Sequence, residues 1–502
     1  MSWVGPCESP PDDENINNLR GDEIRVYMTT EAMVERRWSA PSVEHDRGDI
    51  FSTTPDKVDI DRNVLATFFI TCDPRVTIDQ AGVIIAAEQS VGTFTDVSTA
   101  TDLSTKTAAK MYSYKYEDPS GSMKHSGWVK VAFPTYLLDL DNRGIPDLFT
   151  FVTGNWMGFT PIPNCKWIDF QLPKSVLKLF KGPKFGTEGL REIVGTKKSR
   201  RPHVGITIKP KMGVTDQGAA QQFYDAAMGG VDTFKDDETY FNQWCSPLLD
   251  RIAKVYESLD KAKSEGAHPE GDYMYAPQVT VDSEKSLEVA DKMIAHGARG
   301  LMLNIMATWY PALRALAEDP SINVPIHLHR ASHAALTRHP RHGISFKVVA
   351  ALGRVAGGDM IHVGTARGKL GDAIKFVEIP EVIDAMQNPL DHIKPMMGVS
   401  SGGLTPQNYH YSIDLMGLDI QLQNGGSVHG HPWGTKAGAT AARQAVDAYM
   451  KKIPVEDYAK DHPELGAALQ FFGQKYAVAS AMTAVPELGK KESDYRHMFR
   501  SE

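Results

Sequence analysis

From residue 200 onward the chain alternates between short apolar runs and helix-like segments. The strand-like runs are "HVGITIK" (203–209), "VDTFK" (231–235), "APQVTV" (276–281), "GLMLNI" (300–305), "VPIHLH" (324–329), "MIHVG" (360–364), "MMGVSS" (396–401) and "DIQLQN" (419–424). Between them lie segments such as "DQGAAQQFYDAAMGG", "SEKSLEVADKMIAHG" and "ISFKVVAALGRVAGG". Each of these ends on the glycine expected just past a helix C-terminus. Eight β-then-α units over roughly 250 residues match one (β/α)8 TIM barrel. The rival is a doubly wound open sheet. The count of eight favours closure, and no GxGxxG follows the first strand.

Upstream the pattern differs. "NVLATFFITCD" (63–73) reads as a strand and "TIDQAGVIIAAEQS" (77–90) as a helix, followed by strands and helices without regular alternation. This predicts a smaller α+β domain over 61–185, ahead of a barrel over 186–475 and a C-terminal tail over 476–502. Residues 1–60 are polar, acidic and broken by Pro, and read as an N-terminal extension. The net charge of −8 argues against a nucleic-acid partner. Cys7, Cys72, Cys165 and Cys245 show no CxxC pairing and read as free thiols. No apolar run has the length of a membrane span, and the start lacks signal-peptide character. A cytoplasmic location is expected.

A barrel places its active site at the C-terminal ends of its strands. Read as one ring, those ends carry Lys209 and Lys211; Lys235, Asp237 and Glu238; Asn304; His327, His329 and Arg330, with His333 nearby; His362; Ser401, Gly402 and Gly403; and Asn424, Gly425 and Gly426. One charged strand end is ordinary solvent exposure. Basic, acidic and imidazole groups converging from several strands are the signature of a site.

The stretch "VDTFKDDE" is the most specific part of the ring. Strand alternation puts Lys235 and Asp237 on the face of Thr233 and turns Asp236 away, toward a structural role. Glu238 can fold back over the mouth. A plain buried ion pair would leave one carboxylate unpaired, at a cost. A divalent cation such as Mg²⁺, which takes oxygen ligands, would resolve this. A lysine amine ligates Mg²⁺ poorly, but addition of CO2 to the neutral amine gives an anionic carbamate. Nearby Lys209 and Lys211 would favour the neutral amine by like-charge repulsion.

The glycine pairs follow strands seven and eight of the barrel, where such folds bind phosphate through backbone N–H groups. Arg330 and His362 could clamp a second phosphate across the mouth. The substrate would then be a bisphosphate. Lys369, in "VGTARGKLGD", lies on a glycine-hinged loop suited to a lid. A solvated surface lysine fits that loop equally well.

"GITIKPKMG", "GGVDTFKDDE", "HLHRASHAALTRHPRHGIS", "IHVGTARGKLG", "SSGG" and "GGSVHGHPWG" resemble the large chain of ribulose-1,5-bisphosphate carboxylase/oxygenase (RuBisCO). "AAEQSVGTFTDV" and "TGNWMGF" resemble its N-terminal domain, so the likeness spans residues 63–475 in order. "AALTRHPRHGIS" and "EDYAKDHPEL" look most like the archaeal-type form III or II/III branch. The resemblance implies a ferredoxin-like N-terminal domain. It implies that Lys235 is carbamylated by an activating CO2 and that Asp237 and Glu238 complete the Mg²⁺ site. Catalytic roles fall to Lys209, Lys235, His329 and Lys369. Thr207, Lys211, Arg330, His362, Ser401, Gly402, Gly403, Gly425 and Gly426 match substrate contacts. Glu88, Thr93 and Asn155 match residues that complete the neighbouring subunit's site. That implies a homodimer with shared sites, open to further assembly and without a small subunit. The substrates would be ribulose 1,5-bisphosphate, CO2 and water, giving two 3-phosphoglycerate, with O2 competing.

Departures from the family pattern are Phe94 where Trp is usual, "GKLGD" in the lid with Arg367 beside it, a short stretch between lid and Ser401, and a longer N-terminal extension. The nearest rival function is a RuBisCO-like enolase or isomerase of sulfur metabolism, which enolises without carboxylating. A Schiff-base aldolase would use Lys209 or Lys235, but adjoining Asp237 and Glu238 favour a metal. A non-catalytic storage role fits poorly with so many titratable residues at one mouth.

Overall fold

Four strands, β1 (Asn63–Thr71), β2 (Lys110–Tyr116), β3 (Ser126–Pro134) and β4 (Asn164–Gln171), build an antiparallel sheet in the order β4-β1-β3-β2. All but the two end residues of β1 are buried, as befits a central strand of Val, Leu and Phe. The helix Ile78–Glu88 buries Ile78, Ala81 and Ile85. Gln80 Oε1 accepts the Thr77 N–H at 3.0 Å and caps its start. The computed structural model describes residues 48–92, 99–118, 120, 123–267, 270–367 and 375–483.

The barrel strands are β5 (His203–Thr207), β6 (Thr233–Lys235), β7 (Met274–Ala276), β8 (Leu301–Asn304), β9 (Ile326–His329), β11 (Met360–Gly364), β12 (Met397–Ser401) and β13 (Ile420–Asn424). They pair in parallel in the order β7-β6-β5-β13-β12-β11-β9-β8. The two ends of that order meet. Gln278 bridges Met302, Val279 N–H donates to Met302 O at 2.8 Å, and Met302 N–H donates to Pro277 O at 2.8 Å. The sheet is therefore a closed eight-stranded barrel. Leu190, Met274, Met360, Met397 and Val399 form a buried apolar cluster in it.

β7 begins two residues before the run expected from sequence. Pro277 has no N–H to give to a ladder, and the Gln278 N–H goes to Asp236 Oδ2 at 3.2 Å. Pairing with β6 thus ends at Ala276. The last described helix, Pro463–Thr483, runs across residue 475.

One short strand, β10 (Gly343–Ile344), leaves the barrel sequence to pair in parallel with β4 of the N-terminal sheet. Ser345 secures it, its N–H donating to Trp167 O at 2.8 Å and its Oγ to Ile168 O at 2.9 Å. Gly343 is required there: its φ is +97°, and a Cβ would lie 2.1 Å from Leu336 O.

Candidate active site

Lys235 ends β6 with its side chain buried and its Nζ donating to Asp236 O at 2.9 Å. Asp236 points the other way, as strand alternation requires. It accepts Arg251 Nη2 at 3.0 Å and Tyr275 Oη at 2.7 Å, all three being buried. Asp236 is thus a structural anchor.

Asp237 and Glu238 turn toward the mouth and meet cations from the segment that follows β5. Lys209 Nζ donates to Asp237 Oδ2 at 2.7 Å. Lys211 Nζ lies 3.5 Å from Asp237 Oδ1 and 3.4 Å from Glu238 Oε1. Burial pushes the Asp237 carboxyl up, but the bond from Lys209 and the charge of Lys235 outweigh it, so its pKa lies well below the carboxylate range. Lys211 is raised by Asp237 and then Glu238. Burial pulls the Lys235 amine down to about 8, partly opposed by Asp237 and Glu238 and helped by Lys209. Burial outweighs the like-charge repulsion expected from sequence, to which Lys209 contributes. The amine therefore loses its proton as pH rises through about 8, below the range of an ordinary lysine.

β9 and β11 supply a cluster of imidazoles. The rings of His327 and His362 are 4.8 Å apart and those of His329 and His362 4.6 Å apart. Burial keeps all three neutral, with Lys235 as the second cause for His327 and His329. His329 Nδ1 accepts the Ala331 N–H at 3.2 Å, so its proton sits on Nε2, 3.6 Å from Glu238 Oε2. His362 Nδ1 is 2.7 Å from Ser401 Oγ. Arg330 lies over the Phe346 ring at 4.4 Å. It passes so close to Gly364 that a Cβ there would sit 2.8 Å from its Nη2.

Ser401 ends β12, and Gly402 and Gly403 follow it with φ of +109° and +94°. Gly425 and Gly426 follow β13, where Gly426 opens the short helix Gly426–His429. The strand ends thus bring together Thr207, Lys209, Lys211, Lys235, Asp237, Glu238, His329, Arg330, His362, Ser401 and both glycine pairs. Asn304 instead caps its own helix, accepting the Met306 N–H. Asn424 is internal, held by Tyr409 Oη at 2.6 Å. His333 bonds Thr337 Oγ1 at 2.8 Å. Thr93 and Lys369 lie outside the described residues.

Glu88 closes the helix Ile78–Glu88 and Asn155 opens the turn Asn155–Gly158. Gln89 ties these segments together, its Nε2 donating to Thr150 O at 3.0 Å and Phe151 O at 2.5 Å. Gly154 accommodates it, since a Cβ there would lie 2.2 Å from Gln89 Oε1. The sequence reading missed this clamp, and it also missed Gln421 and Gln423 inside the barrel. A signal existed for the latter: "IQLQN" puts two amides on alternate positions of a strand, where barrel interiors usually carry branched apolar residues.

Among the described residues no three His, Cys, Asp or Glu side chains are grouped to hold a metal ion. Asp237 and Glu238 offer two adjacent carboxylates, and the third position on that face is the Lys235 amine. This donor set suits Mg²⁺ only if the amine becomes an oxygen anion. Its burial and lowered basicity fit that change.

Two family models cover the chain. The catalytic domain of the ribulose bisphosphate carboxylase large chain matches residues 188–472, and its N-terminal domain matches residues 54–176. A ribulose bisphosphate carboxylase of Archaeoglobus fulgidus is 37% identical over 84% of this chain and 96% of its own length. The octameric enzyme of Pyrococcus horikoshii OT3 superposes with a TM-score of 0.77 at 32% identity, covering 84% of this chain and 96% of that one. The dimeric archaeal enzyme of Hyperthermus butylicus gives 0.73 at 33%, covering 83% and 97%. A rubisco-like protein of Alicyclobacillus acidocaldarius gives 0.72 at 27%, covering 82% and 99%. With both domain models matched in order and more than a third of positions shared with an archaeal relative over most of both chains, this chain belongs to the ribulose bisphosphate carboxylase large-chain family.

Proposed function

We propose that the protein carboxylates ribulose 1,5-bisphosphate to two 3-phosphoglycerate, with O2 competing for the same intermediate. The observation that carries this reading is the Lys235–Asp237–Glu238 cluster: a buried amine of lowered basicity beside two carboxylates, bracketed by Lys209 and Lys211. Neutral Lys235 Nζ adds CO2 and releases one proton, giving a carbamate that, with Asp237 and Glu238, would hold Mg²⁺. Mg²⁺, when bound, supplies Lewis-acid polarisation of the substrate's carbonyl and hydroxyl oxygens.

The chain's own groups do the rest. The carbamate of Lys235 takes the C3 proton, giving an enediolate of the substrate. Neutral His329, with its Nε2 proton facing Glu238, can shuttle protons at the same edge. CO2 adds at C2. After hydration and C–C cleavage, Lys209 returns a proton to the second product. Gly402, Gly403, Gly425 and Gly426 receive one phosphate, and Arg330 and His362 the other. Lys369 would meet the new carboxylate, and Glu88, Thr93 and Asn155 of a second copy would close the site. We read the assembly as a cytoplasmic homodimer without a small subunit. Among the described residues no helix is long and apolar enough to cross a membrane.

A second reading has one observation behind it, the rubisco-like neighbour at 27% identity. It would enolise a related substrate without carboxylating it. Against it stands the described set of basic, acidic and imidazole groups. The test is fixation of labelled bicarbonate into phosphoglycerate after incubation with CO2 and Mg²⁺. Fixation that depends on ribulose bisphosphate supports carboxylation. Proton exchange at C3 without fixation supports the rival.

A further inference from the structure

β13 presents Gln421 and Gln423, both buried, toward the barrel interior. Their amides form a directed chain. Gln421 Nε2 donates to Gln423 Oε1 at 2.5 Å, and Gln423 Nε2 donates to Thr207 Oγ1 at 3.1 Å. Gly205, opposite Gln423 in the ladder, makes the room. A Cβ on Gly205 would lie 2.5 Å from Gln423 Oε1, 2.6 Å from Thr233 Oγ1 and 2.7 Å from Gln421 Nε2. Gln421 Oε1 is buried without a partner. A branched apolar residue would fill this layer without stranding a polar atom, so Gln421 does not serve packing best.

We propose that Gln421 is a positioning residue that sets the polarity of the Thr207 hydroxyl. The Gln421 N–H holds the Gln423 carbonyl toward itself, which turns the Gln423 N–H toward Thr207. Thr207 Oγ1 then accepts on the barrel side, and its single O–H is left to donate toward the mouth. Thr207 pairs with Lys235 across the ladder, so this donor stands at the edge of the reacting centre. It would favour a ligand oxygen that accepts there, such as a sugar carbonyl or enediolate oxygen, over a hydroxyl that must donate. The inference rests on the placement of Thr207 against substrate under the proposed function.

The test is a double-mutant cycle on the whole enzyme with Gln421→Met, which keeps length and loses the donor, and Thr207→Val. Ribulose 1,5-bisphosphate binding is measured by calorimetry without Mg²⁺, alongside kcat, KM and thermal midpoint. Gln421→Met should weaken binding about five- to tenfold, the worth of one hydrogen bond. Its thermal midpoint should not fall, and it should have no further effect in the Thr207→Val background. An equal loss in both backgrounds, unchanged binding, or a midpoint that falls with affinity would overturn the proposal. If Gln421→Met does not fold, Gln421→Glu under the same cycle decides, because it keeps the shape and replaces the donor by an acceptor. A wild type that binds the bisphosphate and shows the coupling but fixes no bicarbonate would overturn carboxylation and leave this inference standing. Fixation with additive mutations would do the reverse. No bisphosphate binding at all overturns both.

Discussion

At the residue scale the decisive group is Lys235. Its amine is pulled down to about 8, so the neutral form that the proposed carbamylation requires gains as pH rises through that value. Under limiting CO2, the activated fraction should therefore climb between about pH 7 and 9, following the neutral amine. Lys235→Arg, whose guanidinium stays charged, should remain inactive at every pH in that range. Activity measured immediately after dilution from incubations at each pH checks this. Full activity without exposure to CO2 would remove the carbamate from the account. The residue types at this site were legible because strand alternation sorts Lys235 and Asp237 from Asp236. Their pairing was not legible. That Lys209 binds Asp237 rather than only repelling Lys235 depends on where β5 and β6 end relative to one another.

At the scale of elements, the end of β6 is held by a polar anchor on its far side. That anchor is Asp236, accepting from Arg251, Tyr275 and the Gln278 N–H in one buried cluster. Asp236→Ala should destabilise the fold by about 3–5 kcal/mol, because it leaves the Arg251 charge buried without its counter-ion. Denaturant unfolding measures the loss, and a change under about 1 kcal/mol would show that Arg251 finds another partner. The same cluster explains why β7 stops short of the run expected from sequence. Apolar alternation favoured "APQVTV", whereas Pro277 and the diversion of the Gln278 N–H to Asp236 end the ladder at Ala276. The helices were easier, since their closing glycines are visible in the sequence. Asn304 shows the opposite failure, a polar strand end spent on capping a helix.

At the scale of the whole molecule, the N-terminal domain carries Glu88 and Asn155 on a helix end and a turn tied by Gln89, while the barrel carries the residues proposed above to hold the metal and move protons. If the former act on a second copy, inactive Lys235→Ala and inactive Asn155→Ala subunits should complement each other. Co-assembled mixtures should recover roughly a quarter of wild-type activity, since random pairing makes half of the dimers mixed and each has one intact site. Activity of refolded mixtures against their unmixed controls measures this. No recovery in mixtures shown to contain mixed dimers would place both halves of the site in one chain.

The strand β10 makes the two domains less separable than their order along the chain suggests. Residues 343–344 complete a sheet whose other strands all come from before residue 172. A fragment cut near residue 185 would lack the neighbour that covers β4. Its Trp167 and Lys166 edge would be open to another chain. Such a fragment should self-associate in solution, and a peptide spanning residues 338–347 added in trans should suppress this. Transplanting the N-terminal domain between relatives would then require moving this distant segment with it, so the heritable module is a pair of sequence pieces rather than one continuous stretch.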